Sequence, residues 1–322
     1  MQNESPSLPV LLLPPWRVRA VKAAALLLAL CAGTVHAAFQ EPVVTPQASA
    51  MGGASLASDG DSAALFLNAA APAGLKGPEA YLMYNQLYAG LEGAGSISQG
   101  FAAFGFPTKA GVVGVGLSDF RASSLLEERA VALSLARSLS RSVKAGITAK
   151  YLYHRYMAGS DPLASADPVF AEGTSRGAPA FDLGVIVSLT GALQAGMAVR
   201  NFNEPEMGLR TQDRVPREFQ AGLAYDFKDW GLRLTGDYAH RNALAGTLSE
   251  RGRPGVGLEK SLQDGRVRFR AGATPDQFSA GIGLRFSSLG LDYAFKLSRN
   301  LISDNAGTHL VGIRYSFGGK DQ

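Results

Sequence analysis

The chain has 322 residues, long enough for one large domain or two ordinary ones, and 46% of them are hydrophobic against 18% charged. Its 38 glycines and 16 prolines exclude a collagen-like or low-complexity linker protein. The formal net charge is +4, of which Glu4, Arg17, Arg19 and Lys22 contribute +2, and acidic and basic residues interleave through the rest, which argues against a nucleic-acid partner.

An export signal peptide is predicted over residues 1–37. Three basic residues precede a short apolar run: Arg17, Arg19 and Lys22. The run itself covers residues 23–30, and the sequence VHA at residues 35–37 has the form of a signal-peptidase site, so cleavage is expected after Ala37 or Ala38. The run falls short of the roughly 18 residues expected of a spanning helix, which argues against an uncleaved anchor.

The chain has a single cysteine, Cys31, and it lies inside the predicted signal peptide. A mature chain without cysteine fits an oxidising compartment. Lipidation of Cys31 is the alternative, but a lipoprotein would carry a small residue before the cysteine, and Leu30 stands there.

Residues 79–322 repeat a two-residue period. Between residues 289 and 297 every second residue is apolar, and the residues between are small or charged. A strand with this pattern has one apolar and one polar face. Fourteen such segments are predicted: 80–88, 96–106, 111–118, 128–139, 143–156, 180–188, 193–201, 217–227, 231–241, 255–262, 266–272, 277–286, 289–298 and 308–317.

Alternation alone fits either a soluble β-protein with a buried apolar face or a membrane barrel whose apolar face meets lipid. The segments are about nine to twelve residues long, typical of tilted membrane strands. Several carry aromatic residues at both ends, as at Phe278 and Phe286, which is typical of interfacial girdles. The sequence therefore predicts an all-β, transmembrane antiparallel barrel of about 14 strands in the outer membrane, in contact with its lipid. A soluble periplasmic β-protein is the alternative.

The predicted connections alternate in length. Those after the even-numbered strands are tight, and those after strands three, five, seven, nine and thirteen are longer, with the longest at 158–177. Short turns on the periplasmic rim and long loops on the other are typical of outer-membrane barrels. The connection at 273–276 is an exception, because it is short where a long loop is expected.

The last strand ends in aromatic residues, Tyr315 and Phe317. A C-terminal strand of this kind is predicted to be the signal that the barrel assembly machinery recognises, which makes that machinery an expected partner.

Charged residues fall on the polar face of the predicted strands, which would line the lumen. Thirteen are predicted there: Lys144, Lys150, Asp182, Arg200, Arg233, Asp237, Glu259, Arg268, Arg270, Arg285, Asp292, Lys296 and Arg314. Two interpretations stay open, a salt-bridged lumen filled by other parts of the chain and a charged channel that selects solutes. The segment NEPEM at 203–207 is expected to be a solvated turn, with contact to a partner as the alternative.

The sequence predicts no enzyme, no metal site and no cofactor. The histidines that remain after cleavage are far apart: His154, His240 and His309. No P-loop occurs, and no strand-to-helix nucleophile elbow is predicted. The glycine pattern GVVGVG at 111–116 lies within a strand, so we interpret it as glycine that lets the wall curve.

Two stretches resemble the PorV/PorQ branch of the FadL-like outer-membrane proteins. The first is ASAMGGAS at 48–55 followed by ASDGDSAALFLN at 57–68, although Ala69, Ala70 and Ala71 separate Asn68 from the proline that follows it directly in the family. The second is GLDYAF at 290–295 in the closing strands.

The resemblance implies a fourteen-stranded barrel with a plug- or hatch-like segment at residues 38–78, in or under the lumen. Plug residues are expected at Met51, Gly52, Gly53, Asp59, Asp61 and Asn68. The segment is rich in glycine and alanine, lacks strand alternation, and has an apolar stretch at 63–67 long enough for one or two helical turns. A mobile periplasmic tail is the alternative.

The function implied is a FadL-like channel for hydrophobic or small solutes. The alternative is a PorV-like scaffold that presents or shuttles a secreted protein at the outer membrane.

Overall fold

The structure, a computed structural model, describes residues 39, 44–90, 97–123, 125–157, 167–241, 251–299 and 306–318. The predicted signal peptide at 1–37 lies outside the described residues, and so does the middle of the longest predicted loop, residues 158–166.

Fourteen strands form one closed antiparallel barrel. They are β1 (Glu79–Leu87), β2 (Ile97–Thr108), β3 (Gly111–Ala122), β4 (Leu126–Ser138), β5 (Val143–Tyr156), β6 (Ser175–Ser188), β7 (Leu193–Arg200), β8 (Glu218–Phe227), β9 (Leu232–Arg241), β10 (Arg251–Leu262), β11 (Val267–Thr274), β12 (Gln277–Phe286), β13 (Leu289–Ser298) and β14 (Thr308–Ser316). Each strand pairs with its neighbours in sequence, and β1 pairs with β14 from Glu79 opposite Ser316 to Gln86 opposite His309. The predicted fold class and strand count are confirmed.

The outer surface of the barrel is apolar. In β1, Leu82 and Tyr84 are 60% and 54% exposed, whereas Met83 between them is 5% exposed. Every strand places an exposed large apolar side chain on this outer face: Leu82, Phe104, Leu117, Leu133, Tyr151, Leu183, Met197, Leu223, Leu234, Leu258, Phe269, Phe278, Tyr293 and Ile313. A continuous apolar ring of this extent suits the hydrocarbon of a membrane and not water.

The barrel has two rims with different connections. β1 begins and β14 ends at the first, which we call the terminal rim. It carries the short connections 109–110, 139–142, 189–192, 228–231, 263–266 and 287–288. The second, which we call the loop rim, carries the longer connections, among them 88–96, 157–174 and 201–217, and also the short turn 275–276.

The prediction of a long connection after β3 is wrong. The connection after β3 was expected over 119–127, but β3 and β4 both continue towards the loop rim and only 123–125 separate them. Asp119 lies opposite Arg129 in this extension, and Arg129 Nε lies 2.8 Å from Asp119 Oδ1. Opposite charges on facing positions stabilise strand pairing after the apolar alternation has ended.

Two further strands are longer at the loop rim than the apolar pattern predicts. β6 begins at Ser175 instead of 180, and β10 begins at Arg251 instead of 255. In both extensions the chain is polar or rich in glycine, so the two-residue apolar signal is missing although the backbone pairing continues.

The N-terminal segment, which we define as residues 44–78, lies within the barrel against the inward-facing side chains. It contains the short helix α1 (Pro46–Ala50) and two 3-10 helices, Ser62–Phe66 and Ala71–Gly74. Thr45 caps α1, since its Oγ1 accepts the Ala48 N–H at 3.2 Å. No helix among the described residues is long and apolar enough to cross a membrane.

The hydrophobic core lies between the N-terminal segment and the barrel wall. Leu65 and Phe66 are buried there, and the ring of Phe66 meets that of Phe101 edge to face at 5.4 Å. The inside of the barrel is therefore packed with the chain's own residues along this part of the wall.

Candidate functional site

A belt of glycines faces the N-terminal segment. We call these residues the glycine belt: Gly105, Gly114, Gly116, Gly146, Gly184, Gly196, Gly222, Gly255, Gly257, Gly272, Gly281 and Gly312. Several are paired across neighbouring strands, as are Gly146 with Gly184 and Gly257 with Gly272. The N-terminal segment follows the belt around the inside of the wall, from Pro46 beside β14 to Leu75 beside β2.

The glycines are needed because the segment approaches the wall too closely for a side chain. A Cβ added to Gly184 would lie 2.8 Å from Ala69 N, and one added to Gly257 would lie 2.6 Å from Met51 O. Real Cβ contacts are longer, so a side chain at Gly184 or Gly257 would push the backbone of the segment away, whereas one at Gly105 would first meet the flexible end of Leu75.

Two glycines of the GVVGVG stretch, which we interpreted as points of wall curvature, also lie in the belt. A Cβ on Gly116 would lie 2.6 Å from the ring of Phe66, so this glycine makes room for the 3-10 helix Ser62–Phe66. A Cβ on Gly114 would meet Ser134 of the neighbouring strand, with Leu65 at an ordinary 3.4 Å.

Asn68 fixes the turn that follows this helix. Its Nδ2 donates to Leu56 O at 2.8 Å, and its Oδ1 accepts the Ala70 N–H at 3.0 Å. Asn68 is buried, and both ends of its amide are bonded. The turn therefore forms without a proline directly after Asn68, and Pro72 instead lies at the second position of the next 3-10 helix, Ala71–Gly74.

Polar side chains of the wall hold the backbone of the segment at several points. Asp237 Oδ2 accepts the N–H groups of Ser55 and Leu56, both at 2.8 Å. Ser279 Oγ donates to Ala50 O at 3.1 Å, on the other side of the belt. Bonds to a carboxylate are about twice as strong as neutral ones, so Asp237 is the strongest of these anchors.

Ion pairs add to this attachment. Arg314 Nη2 lies 2.7 Å from Asp61 Oδ2, and Lys144 pairs with Asp59. Glu79, at the start of β1, accepts the N–H of Ser62 at 3.0 Å. Met51, Gly52, Asp59, Asp61 and Asn68 among the predicted plug residues thus contact the wall, whereas a Cβ on Gly53 would meet nothing within 4 Å.

The other predicted lumen residues mostly pair with one another. Arg270 Nε lies 2.7 Å from Glu259 Oε2, and its Nη1 lies 2.5 Å from Asp292 Oδ1. On the opposite wall, Lys150 Nζ lies 2.7 Å from Asp182 Oδ2. Two more predicted residues pair with acidic side chains that were not predicted: Arg233 with Asp226 at 3.0 Å and Arg200 with Glu218 at 3.7 Å.

Three predicted lumen residues lie nearer the rims. Arg268 and Arg285 share a small pocket with Arg314 towards the terminal rim, and Lys296 lies towards the loop rim. The thirteen predicted residues are therefore not one cluster but several pairs spread around the wall.

A cluster of four charged side chains centres on Glu218, which is not among the predicted lumen residues. Its Oε2 lies 2.7 Å from Arg253 Nη2 and 2.8 Å from Arg241 Nη2, and its Oε1 accepts from Gln220 Nε2 at 2.5 Å. Glu218 is only 1% exposed. Glu218 lies inside the predicted strand 217–227 and alternates with Phe219 onto its polar face, so the pattern could have identified it, whereas Arg253 precedes the predicted start of its strand at 255.

A cavity of about 630 Å³ lies on the loop-rim side of the N-terminal segment. Ser55 and Leu56 of the segment border it, together with Gln99, Arg200, Glu218 and Arg253 of the wall. Pro275 and Asp276 also border it, so the unusually short turn of the loop rim lies beside this space.

The connection between β7 and β8 folds into the barrel, contrary to the solvated turn expected for part of it. Met207 and Val215 are 0% and 2% exposed. Glu206 organises the loop, because its Oε1 accepts the N–H groups of Asp213 at 2.7 Å and Gly208 at 3.0 Å. Burial raises the pKa of Glu206, but these two bonds and nearby Arg214 outweigh burial and hold the pKa below its usual value.

The aromatic residues at the end of the last strand point outward. The rings of Tyr315 and Phe317 lie 4.7 Å apart, and Phe317 also contacts Phe104 at 6.0 Å. Both are exposed on the outer face near the terminal rim.

Among the described residues no group of three or more His, Cys, Asp or Glu side chains is arranged to hold a metal ion. The polar groups inside the barrel instead form anchors, ion pairs and a cavity, an arrangement suited to binding or passing a solute.

No protein-family model and no curated protein sequence matches this chain. Its fold, however, is similar to solved outer-membrane barrels. The chain matches the CymD monoaromatic hydrocarbon channel with a TM-score of 0.64 at 15% identity, covering 85% of this chain and 97% of the other. It also matches the toluene transporter TbuX of Ralstonia pickettii with a TM-score of 0.62 at 13% identity, covering 87% and 100%.

A FadL homologue of Pseudomonas aeruginosa matches with a TM-score of 0.60 at 13% identity, covering 87% of this chain and all (100%) of that one. At such low identities the likeness shows a shared fold and nothing finer. The predicted FadL-like architecture is confirmed at this level.

Proposed function

We propose that the protein is an outer-membrane channel of FadL type that passes hydrophobic or other small solutes. One observation carries the proposal: a closed barrel with an apolar outer ring encloses a polar interior in which a segment of the same chain and a cavity of about 630 Å³ lie side by side. The similar barrels include a monoaromatic hydrocarbon channel and a toluene transporter.

In this proposal the N-terminal segment is a plug. Its close fit to the glycine belt and its bonds to Asp237 and Arg314 support a fixed position inside the barrel. The cavity on its loop-rim side would receive a solute from outside, and passage would follow a change in the segment or in the adjoining wall.

The proposal is tested by comparing uptake with and without the plug. Benzenesulfonate, an aromatic anion that stays ionised at neutral pH and so crosses lipid slowly, is given to proteoliposomes that contain the full mature chain or a variant lacking residues 38–75. Uptake above protein-free vesicles is expected for the full chain, and faster uptake for the deletion. Equal rates in all three preparations would contradict a channel.

A test with a hydrophobic solute needs a different barrier, because such molecules cross simple bilayers without a protein. Labelled toluene is therefore given to cells with an intact lipopolysaccharide surface, with and without the protein. Faster entry of toluene is expected in the expressing cells. Heat-modifiable gel mobility of the protein from the outer membrane of the same cells tests whether the chain is exported and inserted there.

A scaffold of PorV type is the second candidate, and one observation favours it. An open hollow of about 540 Å³ at the loop rim is bordered by Arg176, Pro179, Arg214 and residues 203–206, the part of the chain for which contact with a partner is the alternative prediction. Such a hollow would suit a segment of a secreted protein. Recovery of the same secreted protein with the wild type but not with an Arg176→Glu, Arg214→Glu variant would support a scaffold.

A further inference from the structure

The cavity beside the N-terminal segment has many polar groups in its lining, although about half of the lining surface is apolar. Its wall carries hydrogen-bonding side chains from many strands, including Asn85, Gln99, Gln220 and Gln277. The large apolar side chains at its border are few, chiefly Leu56, Leu67 and Leu310. Polar groups without a partner penalise an apolar occupant, so the lining favours a solute that forms hydrogen bonds.

The charges at one side of the cavity do not balance. Three guanidinium groups, those of Arg200, Arg241 and Arg253, surround the single carboxylate of Glu218. Lys150 lies nearby but is neutralised by Asp182 at 2.7 Å. The cluster therefore has more positive than negative charge, and an anion would complete it.

Two of the three arginines can donate further hydrogen bonds towards the cavity. Arg200 is 9% exposed, yet its Nη2 lies 3.7 Å from Glu218, too far for a hydrogen bond. Arg253 contacts Glu218 through Nη2, and its side chain is 45% exposed. Both residues border the cavity.

The excess of positive charge is local to this side of the cavity, because the lining as a whole also carries the carboxylates of Asp237 and Asp276. Asp237 already accepts two backbone N–H groups of the N-terminal segment. Asp276 belongs to the turn 275–276 between β11 and β12, and Lys296 borders the same cavity from β13. The arginines are on β7, β9 and β10.

We propose that this cavity binds a small polar solute through a carboxylate held by Arg200 and Arg253. The inference rests on the proposed channel function and narrows its cargo from hydrophobic solutes to small organic acids. A guanidinium donates two parallel N–H bonds to a carboxylate, a geometry that a neutral amide or a hydrocarbon does not match. A volume of about 630 Å³ leaves room for an acid with a ring and further polar groups.

Three probes of similar shape test the charge requirement. Benzoate, benzamide and toluene are measured for binding to the full mature chain in detergent, by saturation-transfer NMR and equilibrium dialysis at pH 7.5. Benzoate is expected to bind at least about tenfold more tightly than either neutral probe, because only benzoate forms charge-assisted bonds to the arginines.

Two variants and one control locate the site. Arg253→Gln removes one guanidinium, and Gln220→Glu adds a second carboxylate beside Glu218 while keeping every arginine. Each is expected to lower benzoate affinity about tenfold. Arg137→Gln, an exposed arginine of β4 near the terminal rim, is the matched control and is expected to leave affinity unchanged.

The outcomes separate this inference from the channel itself. Equal binding of benzoate and benzamide, or benzoate binding that neither variant weakens, would overturn it. Solute uptake by proteoliposomes without benzoate preference would overturn it too while leaving the channel in place. Selective benzoate binding without any uptake would support the site and contradict the channel.

Discussion

Gly184 and Asn68 show how single positions decide the fit between the N-terminal segment and the wall. Asn68 Nδ2 reaches across to Val185 O at 3.4 Å, and the space that a side chain at position 184 would need is filled by Asn68 and Ala69. The contact holds only while position 184 is glycine. Sequence alternation places this residue on the inner face but does not indicate what it meets there.

A methyl group at this position should loosen the structure. Gly184→Ala is expected to lower the stability of the folded barrel by about 1–3 kcal/mol, because the segment must shift or the wall must bend. Gly236→Ala is the matched control, since a Cβ there meets nothing within 4 Å. Each variant is unfolded in increasing guanidinium, and the folded fraction is read from its heat-modifiable mobility in gels. Equal unfolding midpoints for the two variants would contradict the close fit.

Asp237 offers a second test at a single side chain. Removing it in Asp237→Ala leaves the buried N–H groups of Ser55 and Leu56 without their acceptor, at a cost of about 1–3 kcal/mol. Hydrogen exchange of the peptide around residues 52–58 should accelerate strongly. Asp226→Ala, which breaks only a pair with Arg233, should not affect this peptide; similar exchange in both variants would remove Asp237 from its anchoring role.

The strands were largely predictable, and the N-terminal segment was not. β5, β12 and β13 have the bounds that alternation predicts, because each carries an unbroken apolar face towards lipid. β3 and β4 extend beyond their predicted ends where a charged pair, Asp119 and Arg129, takes the place of apolar residues. The segment has no period of its own, and its partners, among them Asp237 and Arg314, lie far away in the chain, so its route along the glycine belt follows from no local pattern.

A disulfide tests the position of this segment relative to β2. A Cβ on Gly105 lies 3.1 Å from the Cβ of Ser62, slightly closer than the roughly 3.5–4.5 Å of a disulfide. The double variant Ser62→Cys, Gly105→Cys is expected to cross-link in membranes under mild oxidation. Its control is Ser62→Cys with Ala102→Cys, whose second cysteine is on the outer face of the same strand; cross-linking of both pairs, or of neither, would contradict the assigned position.

The molecule as a whole combines an apolar outer ring, an N-terminal segment bound to the inside of the wall by hydrogen bonds and ion pairs, and a cavity on the loop-rim side. The short turn 275–276 lowers the loop rim beside that cavity, which gives a physical reason for the exception in the pattern of connections. Low identity to the similar channels means that their cargo does not carry over, and the arginines around Glu218 point to a more polar cargo than toluene.

The claim that the barrel passes small solutes past a built-in plug is tested most directly by benzenesulfonate uptake into proteoliposomes that contain the Ser62→Cys, Gly105→Cys variant. We expect uptake above protein-free vesicles in the reduced protein, together with a different rate when the cross-link is formed and a return to the first rate on reduction. Uptake no faster than in protein-free vesicles, in both the oxidised and the reduced protein, would contradict the account.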